Sequence, residues 1–570
     1  MASIVVLSSA CAHVDKVDVV SVKGASQVKP VADEKQKETP KPQESQLDAA
    51  LLFSLLSGEI AGQRGDVNMA SAFYARAAEQ SQDPQIAFRA AQVALYNKDI
   101  ASAKAAIDIV VKAGNLDAQM RRLALTIYLR SGDVDKSLEQ IDVLLDKGDI
   151  PKRNALLAVG DIVSRHANKD IAISVMDALV ERNAKEAGVY VARSQLIAAF
   201  GDLNQAEQDA QEATKIDPSW AVSFVQLARV FENKGDTAGA IAVLKEASQR
   251  LGNNLLLMGY GQLLAKNEQY EEAKQQFIQL ASADKNYPEA KFALGLVYLK
   301  LDDVKGAKET FEELYEVNSF PSKSAFYLGR IHYHEKENKQ ALEWFEKVGR
   351  GVHYVDAKSY LSMIKSELGD LEGARSIMQT LRNDFPKESS RFYLLEAELL
   401  MDGQHNQVLL DLMTVAVGEH TSDMSLRYAR SIAATEVGDL ALAEKDLLIV
   451  LEKTPKDANA LNALGYTLAS KTFRFKEARN YLTQALSIRP NDPAILDSMG
   501  WLNYREGHYE QALLLLQKAY AKSPDGEIAA HLGETMWILG RQKEARELWE
   551  NALKKDEDNR YLLEVLKRLK

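Results

Sequence analysis

A pattern of small and bulky residues recurs about every 34 positions, and this period restricts the possible folds more than any other feature of the sequence. Near the end of the chain the pattern is a glycine, an alanine, a bulky residue, a second alanine and a proline: Gly500, Ala512, Leu516, Ala519 and Pro524. Its first site recurs fifteen times, 33 to 35 residues apart, at positions 58, 91, 125, 160, 194, 228, 261, 295, 329, 362, 396, 431, 465, 500 and 533. The matching alanine site holds alanine in thirteen of the fifteen units, and the exceptions are Ser137 and Val408. Chance does not produce this regularity, so the chain is predicted to be an array of repeats.

Each period predicts two antiparallel helices joined by a tight turn. Residues that favour helices dominate the repeats. Glycine often follows the first helix, as at Gly235 and Gly507, because it tolerates the left-handed backbone that ends a helix. Small residues at the two recurring sites let paired helices approach closely beside bulky residues such as Phe277 and Trp549. One hairpin cannot bury its apolar face alone, so neighbouring hairpins are expected to stack.

This pattern resembles the tetratricopeptide repeat (TPR), a helix hairpin of the same period. The resemblance covers residues 51–557, about nine tenths of the chain. It implies an all-α fold, a TPR solenoid that winds as a right-handed superhelix of about fifteen helix-turn-helix units. Residues 558–570 are expected to form a capping helix, apolar on one face and basic on the other.

The N-terminal part of the chain differs from the repeats. Residues 1–11 are small and apolar and end in Cys11, the only cysteine of the chain. Residues 12–46 are rich in Lys, Glu, Gln, Val and Pro and contain no aromatic residue. Such a segment cannot bury enough apolar surface to offset its ordering entropy, so it is predicted to be a disordered tether. A single cysteine also excludes an internal disulfide and a zinc site built from cysteines.

Cys11 follows a short segment that resembles part of a bacterial lipoprotein signal. Small residues stand at 8–10, although no basic residue precedes the cysteine and the apolar core is only 4–7. We therefore interpret 1–11 as the remnant of a signal whose start was removed or lies upstream, and Cys11 as the site of lipid attachment. The alternative is an unmodified thiol in a disordered tail.

The sequence motifs do not support catalytic chemistry. No GxxxxGK[ST], GxGxxG, GxSxG or HExxH occurs, so phosphate loops, a nucleophile elbow and a zinc-protease helix are absent. His332 and His334 are the most metal-like pair, but two residues apart on a helix they point about 200° apart and cannot share one ion. The chain is therefore expected not to be an enzyme, and to have no catalytic site, no metal site and no cofactor. Its formal net charge of -11 disfavours nucleic-acid binding.

Protein binding is the remaining function. In TPR proteins the first helix of each unit lines a concave groove, and aromatic and arginine side chains dominate interface energetics. Such residues stand at the predicted groove-facing positions Arg229, Arg330, Tyr333, Tyr393, Tyr428, Tyr466, Trp501 and Tyr504. The alternative for each is packing between neighbouring helices. The positions where TPR co-chaperones clamp a peptide carboxylate with Lys and Asn hold other residues here, so that clamp is not supported.

Two terminal stretches resemble a narrower family. Residues 51–95 and 461–513, including GYTLA and DPAILDSMGW, are similar to the first and last units of outer-membrane TPR lipoproteins of the LbcA-like type. The resemblance implies a lipid-anchored scaffold on the outer membrane that faces the periplasm. It would bind a PDZ-containing carboxyl-terminal processing serine protease and promote degradation of the protease's substrates, such as cell-wall hydrolases. No protease-contact residue can be transferred.

Two other roles fit the same pattern. The first alternative is an envelope or pilus assembly TPR lipoprotein with a structural role. The second is a cytosolic TPR scaffold without a lipid. Pilotin-like lipoproteins are often shorter, so fifteen units favour the adaptor. The tether and Cys11 argue against the cytosolic scaffold.

Overall fold

The computed structural model describes residues 49–114, 116–146, 150–283, 287–403 and 405–569. The predicted signal remnant, Cys11 and the predicted tether lie outside these residues. Two compact units share the chain, with the boundary between Thr310 and Phe311.

Among the residues that the structure describes, the first unit contains fifteen complete helices. They are α1 (Ala49–Gln63), α2 (Val67–Ser81), α3 (Pro84–Tyr96), α4 (Ile100–Lys112), α5 (Ala118–Ser131), α6 (Val134–Leu145), α7 (Lys152–His166), α8 (Lys169–Arg182), α9 (Ala187–Ala199), α10 (Leu203–Ile216), α11 (Ala221–Asn233), α12 (Thr237–Leu251), α13 (Asn254–Lys266), α14 (Tyr270–Ala283) and α15 (Pro288–Lys300). Helix α16 (Val304–Glu316) contains the boundary between the units.

The second unit continues the same alternation. Its helices are α17 (Pro321–His334), α18 (Asn338–Glu346), α19 (Tyr354–Glu367), α20 (Leu371–Asp384), α21 (Ser389–Asp402), α22 (Asn406–Glu419), α23 (Met424–Val437), α24 (Leu440–Lys453), α25 (Ala458–Lys471), α26 (Phe475–Ile488), α27 (Pro493–Arg505), α28 (Tyr509–Lys522), α29 (Gly526–Ile538), α30 (Gln542–Leu553) and α31 (Arg560–Arg568). A short 3-10 turn, Pro386–Glu388, precedes α21. The described residues form no strand, and the predicted all-α solenoid of helix hairpins is confirmed.

Local chemistry explains where the hairpins turn. Gly235 and Gly507 have φ angles of 81° and 84°, in the left-handed region that favours glycine. The next residue often caps the second helix: Asp236 accepts a hydrogen bond of 2.8 Å from the backbone N–H of Gly239. A turn glycine followed by an aspartate therefore stops one helix and starts the next.

The small recurring site brings the two helices of a hairpin close together. A Cβ atom added to Gly500 would lie 2.7 Å from Cγ of Leu516, and one added to Gly533 would lie 2.0 Å from Nε1 of Trp549. The indole N–H of Trp549 in turn donates a hydrogen bond of 3.2 Å to the carbonyl of Ala529. A side chain at either glycine would force the helices apart.

Helix α31 lies within the segment predicted to cap the array. Leu562 and Val565 are buried against α29 and α30, in a cluster that includes Trp549. No helix among the described residues is both long and apolar enough to cross a membrane.

Candidate protein-binding surface

The eight residues predicted to face the groove all lie on the first helices of their hairpins. In order along the chain, Arg229 lies on α11, Arg330 and Tyr333 on α17, Tyr393 on α21, Tyr428 on α23, Tyr466 on α25, and Trp501 and Tyr504 on α27. Only Arg229 belongs to the first compact unit. Five of the other seven lie in two aromatic groups, and Tyr393 and Tyr428 lie outside them.

Tyr466, Trp501 and Tyr504 come together around His531 of α29. The ring of Trp501 stacks on that of His531 at 4.1 Å between centroids, and on that of Tyr504 at 4.7 Å. The ring centroid of Tyr466 lies 6.2 Å from that of His531. Three successive first helices thus contribute to one aromatic surface, in which three half-buried rings lie around the buried ring of His531. We call it the C-terminal aromatic surface (Tyr466, Trp501, Tyr504 and His531).

His531 has an ionic partner beneath this surface. Its Nδ1 lies 3.0 Å from a carboxylate oxygen of Asp497, and both side chains are buried. Burial opposes the charged form of the imidazole, but Asp497 and the nearby carboxylates of Glu527 and Glu534 outweigh it and raise the pKa of His531. The ring that stacks on Trp501 is therefore biased toward its cationic form, which favours contact with an aromatic face.

Two further carboxylates pair with the tyrosines of the same surface. The hydroxyl of Tyr466 donates to Glu527 at 2.7 Å, and that of Tyr504 donates to Glu534 at 3.4 Å. Burial raises the pKa of Glu527 and of Glu534, and raises the pKa of Tyr504 to about 12. The surface thus combines aromatic faces with hydrogen-bonded acids, which suits protein recognition.

Helix α31 also reaches this region. Arg568 forms an ion pair with Glu534, while Arg560 forms an ion pair of 2.7 Å with Glu436 at the end of α23. The second ion pair spans from the last helix to a hairpin three hairpins before the final one. The C-terminal helix therefore contacts more than its immediate neighbour.

Arg330 and Tyr333 belong to a second aromatic cluster, on α17 and α19. The ring of Tyr333 lies 5.5 Å from that of Tyr360, and its hydroxyl donates to Glu367 at 2.9 Å. Burial, together with this bond to Glu367, raises the pKa of Tyr333 to about 12. Arg330 lies over the ring of Phe326, on the preceding turn of the same helix.

The remaining predicted residues are not grouped. Tyr393 is buried, its hydroxyl donates to Glu419 at 2.9 Å, and the guanidinium of Arg382 lies over its ring at 4.3 Å. Tyr428 is half-buried, and burial raises its pKa. Arg229 is exposed.

The two histidines considered as a metal site lie on different sides of α17. His332 is buried and its Nδ1 lies 2.6 Å from Glu337, whereas His334 is exposed. Ligand atoms of His332, Glu335 and Glu337 lie within 4.8 Å of one another, a grouping that the spacing of the histidines does not reveal. In this group Nδ1 of His332 has a carboxylate partner, Glu337, and Glu335 is exposed.

Sequence reasoning missed His531, Glu527 and Asp497 as parts of the C-terminal aromatic surface. His531 lies two residues before the small site at Gly533, and Asp497 lies three before Gly500. A search for polar residues at these offsets in successive repeats would have found the pair, because first helices of adjacent hairpins lie side by side.

A sequence profile of the tetratricopeptide repeat family matches several parts of the chain, at residues 88–149, 258–316, 292–350, 428–493 and 498–560. TPR repeat-containing protein PA4667 of Pseudomonas aeruginosa is 38% identical over 209 residues, 37% of this chain and 35% of the relative. Type IV pilus assembly protein PilF of the same bacterium is 31% identical over 155 residues, 26% of this chain and 61% of the relative. The chain thus spans about a third of the first relative and less than two thirds of the second.

Solved structures with similar helices include one described as a functional characterization of Pseudomonas aeruginosa PilF. It is 25% identical, covers 36% of this chain and 96% of its own, and superposes with a TM-score of 0.30. Yeast Tom70 is 12% identical, covers 92% of this chain and 95% of its own, and gives a TM-score of 0.34.

Proposed function

The chain is a tetratricopeptide repeat protein, and from this premise we propose that it is a noncatalytic scaffold for a periplasmic carboxyl-terminal processing protease. The C-terminal aromatic surface is the observation that carries the proposal. Trp501 and Tyr504 present two stacked, half-buried rings on the first helix of a hairpin, and the hydroxyl of Tyr504 donates a hydrogen bond to Glu534. Tetratricopeptide folds are typically scaffolds, and binding surfaces of this kind need no reactive group.

The terminal stretches 51–95 and 461–513 support the finer proposal of an adaptor. The second stretch contributes Tyr466, Trp501 and Tyr504, so the family resemblance and the aromatic surface coincide in the same hairpins. The similarity to TPR repeat-containing protein PA4667 agrees with a protein of this type, although its name states no partner.

The proposed mechanism is one of effective concentration. A scaffold that holds protease and substrate together makes their encounter intramolecular, which raises the rate of cleavage without new catalytic groups. In this proposal Cys11 carries the lipid anchor to the outer membrane, where acyl chains contribute about 0.8 kcal/mol per buried CH2 group. The scaffold would thereby confine proteolysis to the periplasmic face of that membrane.

Affinity capture with the full, membrane-extracted protein tests the proposal. We expect a PDZ-containing serine protease to be recovered, and its cleavage of a substrate in a purified system to be stimulated by the scaffold. Replacing Trp501 and Tyr504 together by alanine is expected to weaken capture. The matched control is Tyr96→Ala, since Tyr96 is a single aromatic ring that is 80% exposed.

Three results separate the outcomes of this experiment. Unfolding curves of the variants must coincide with that of the wild type, so that lost capture reports lost contacts. Equal loss of capture in the control variant would contradict a role for the C-terminal aromatic surface. An unacylated Cys11 in mass spectra of the mature protein would remove the lipid anchor from the proposal.

Pilus or envelope assembly is the second candidate. The relatedness to type IV pilus assembly protein PilF favours it, at 31% identity over 155 residues. Under this proposal the same surface would hold an assembly component, and capture would recover pilus or outer-membrane assembly proteins in place of a protease. Recovery of those proteins would overturn the adaptor proposal.

A further inference from the structure

Helix α1 exposes more large apolar side chains than any other helix that the structure describes. Leu52, Phe53, Leu56 and Ile60 are each between 46% and 60% exposed, whereas every other described helix has at most one exposed large apolar side chain. Leu52, Leu56 and Ile60 follow one another at intervals of four residues and so form one ridge along the helix. The ring of Phe53 lies beside it, 6.0 Å from that of Phe73 on α2. We call these five side chains the N-terminal apolar face (Leu52, Phe53, Leu56, Ile60 and Phe73).

The repeat places Phe53 and Ile60 at positions that most other hairpins bury. They lie five residues before and two residues after the small recurring site of the first helix. In α5 the same positions hold Met120 and Ile127, which are buried in one cluster with residues of α4, the second helix of the preceding hairpin. Buried apolar residues also occupy both positions in α9 and α13: Val189, Leu196, Leu256 and Leu263. No described hairpin precedes α1, so α1 presents a surface that elsewhere in the array is covered by a helix with an apolar face.

Charge and composition narrow the choice of what covers this face. Glu59 is the only charged residue of α1, whereas helices that lie on a membrane surface are typically rich in Lys and Arg. Residues 12–46 contain no Leu, Ile, Met or aromatic residue, so this segment of the chain offers no large side chain to pack against the ridge. A second copy of the chain supplies what both lack, an uncharged row of large apolar side chains on a helix.

We propose that the N-terminal apolar face joins two copies of the chain, with α1 of one copy packed antiparallel against α1 of the other. The ridge suits a two-fold axis at Leu56, because Leu52 of each copy then lies beside Ile60 of the other. The ring of Phe53 flanks this contact on both sides of the axis. Each copy uses the same face, so the association closes at a dimer and does not continue into a filament.

The size of the face fits a weak and reversible dimer. Its four side chains on α1 are about half exposed and offer on the order of 400 Å² of apolar surface per copy, as patches that mark interaction sites do. A pair buries twice this area before the flanking residues are counted, which places the interface near or below about 1,200 Å², the range of transient contacts. We therefore expect association in the micromolar range.

This inference goes beyond the proposed scaffold function and does not rest on it. The dimer forms through α1, whereas the C-terminal aromatic surface lies on α25, α27 and α29. The two can fail separately, since a monomer can still capture a protease and a dimer can form when no protease binds. A dimer carries two copies of the C-terminal aromatic surface, so a partner with two binding segments would be held more tightly than one with a single segment.

Sedimentation velocity of the full chain over a wide range of concentration tests the dimer. A reducing agent is present, so that Cys11 cannot link two copies. For the wild type we expect the weight-average sedimentation coefficient to rise with concentration from that of a monomer to that of a dimer. Leu56→Glu and Leu56→Lys each place two like charges at the two-fold axis, and each is expected to weaken association at least about tenfold.

An equal mixture of these two variants distinguishes pairing through α1 from association through another surface. In a mixed pair the introduced carboxylate and ammonium groups lie next to each other, so the mixture should associate more strongly than either variant alone. Leu514→Glu is the matched control, because Leu514 on α28 is a leucine of similar exposure, at 61% against 54% for Leu56. It should associate as the wild type does.

A wild type that stays monomeric at every concentration would overturn the proposal. So would a dimer that Leu56→Glu leaves intact or that Leu514→Glu weakens equally. Binding of a monomeric wild type to vesicles of phosphatidylglycerol and phosphatidylethanolamine, lost in Leu56→Glu, would assign the face to a membrane instead. Unfolding curves recorded at low concentration should coincide for all variants, since Leu56 is exposed in the single chain, and this separates lost association from a lost fold.

Discussion

Arg430 binds the buried carboxylate of Asp446 with two hydrogen bonds, from Nε at 2.6 Å and from Nη2 at 2.8 Å. Arg193 binds Asp209 in the same way, at 2.9 Å and 2.7 Å. In both hairpins the arginine precedes the recurring site of the first helix, and the aspartate lies three residues after the alanine of the second. The same ion pair therefore links the two helices in both of these hairpins.

Removing the acid of this ion pair is expected to lower the free energy of unfolding strongly. In Asp446→Ala the largely buried guanidinium of Arg430, whose side chain is 12% exposed, is left without its partner, which costs roughly 3 kcal/mol. Denaturant unfolding of the full chain measures the loss. Glu444→Ala is the control, because Glu444 pairs with the partly exposed Arg474 and such pairs are worth under about 1 kcal/mol. Similar losses of unfolding free energy in both variants would contradict a larger contribution from the buried ion pair.

A methyl group at Gly500 is expected to lower the free energy of unfolding by roughly 1–3 kcal/mol, as overpacking does. The added Cβ would lie 2.7 Å from Cγ of Leu516, which has no room to retreat in a buried cluster. In Gly259→Ala the nearest atom would be 3.8 Å away, so the better helix propensity of alanine should stabilise instead. Thermal unfolding compares the two, and a stabilised Gly500→Ala would refute the close-packing explanation.

Glu268→Gly is expected to stabilise the first unit by roughly 1 kcal/mol, the cost of left-handed backbone for a residue with a Cβ. Glu268 has a φ of 61° at the turn position where the preceding hairpin has Gly235, with a φ of 81°. Glu268→Ala removes the same side chain but keeps the Cβ, so it should not gain this stability. A rise in melting temperature for glycine alone is the expected result, and an equal rise for alanine would assign the effect to the lost side chain.

The C-terminal hairpins are expected to open more easily as the pH rises. The pKa of His531 in the folded protein lies above its usual value because Asp497 outweighs burial. This group therefore stabilises the fold fully below its unfolded pKa of about 6.5 and loses the contribution as the pH rises through the folded pKa. The raised pKa values of Glu527 and Glu534 act with the same sign, starting at lower pH.

Amide hydrogen exchange of α27 and α29, corrected for the intrinsic pH dependence of exchange, measures this effect. In the wild type protection should fall in the window above about pH 6.5, as the pH rises through the raised pKa of His531. In His531→Gln the fall in this window should be absent, although the protection itself starts lower. An unchanged pH dependence in that variant would show that the imidazole does not carry the effect.

The sequence predicted contacts within a hairpin better than contacts between distant hairpins. Gly500 against Leu516 follows from an offset of 16 residues that recurs along the chain. The hydrogen bond between Tyr466 and Glu527 spans two hairpins, so it depends on the angle at which hairpins stack. No local pattern encodes that angle, and this is why the groove positions could be proposed while their neighbours could not.

Glu396 shows a second kind of contact that the repeat pattern does not predict. It occupies a site that holds a small residue in most repeats, yet it is fully buried. Arg375 and Arg382 bond its two carboxylate oxygens at 2.8 Å and 2.5 Å. The repeat period predicted the place of this residue in the first helix correctly. It did not predict that two arginines of the preceding helix neutralise the buried charge, because that contact depends on how the helices pack.

The ion pair between Arg560 and Glu436 links the last helix to a hairpin that is not its neighbour in the array. In a stack whose members contact only their neighbours, the end can detach one helix at a time without disturbing distant hairpins. Detachment of α31 also breaks its contact with α23, but both side chains are partly exposed, so the pair is worth under about 1 kcal/mol. Fraying of the last helix is therefore coupled only weakly to α23.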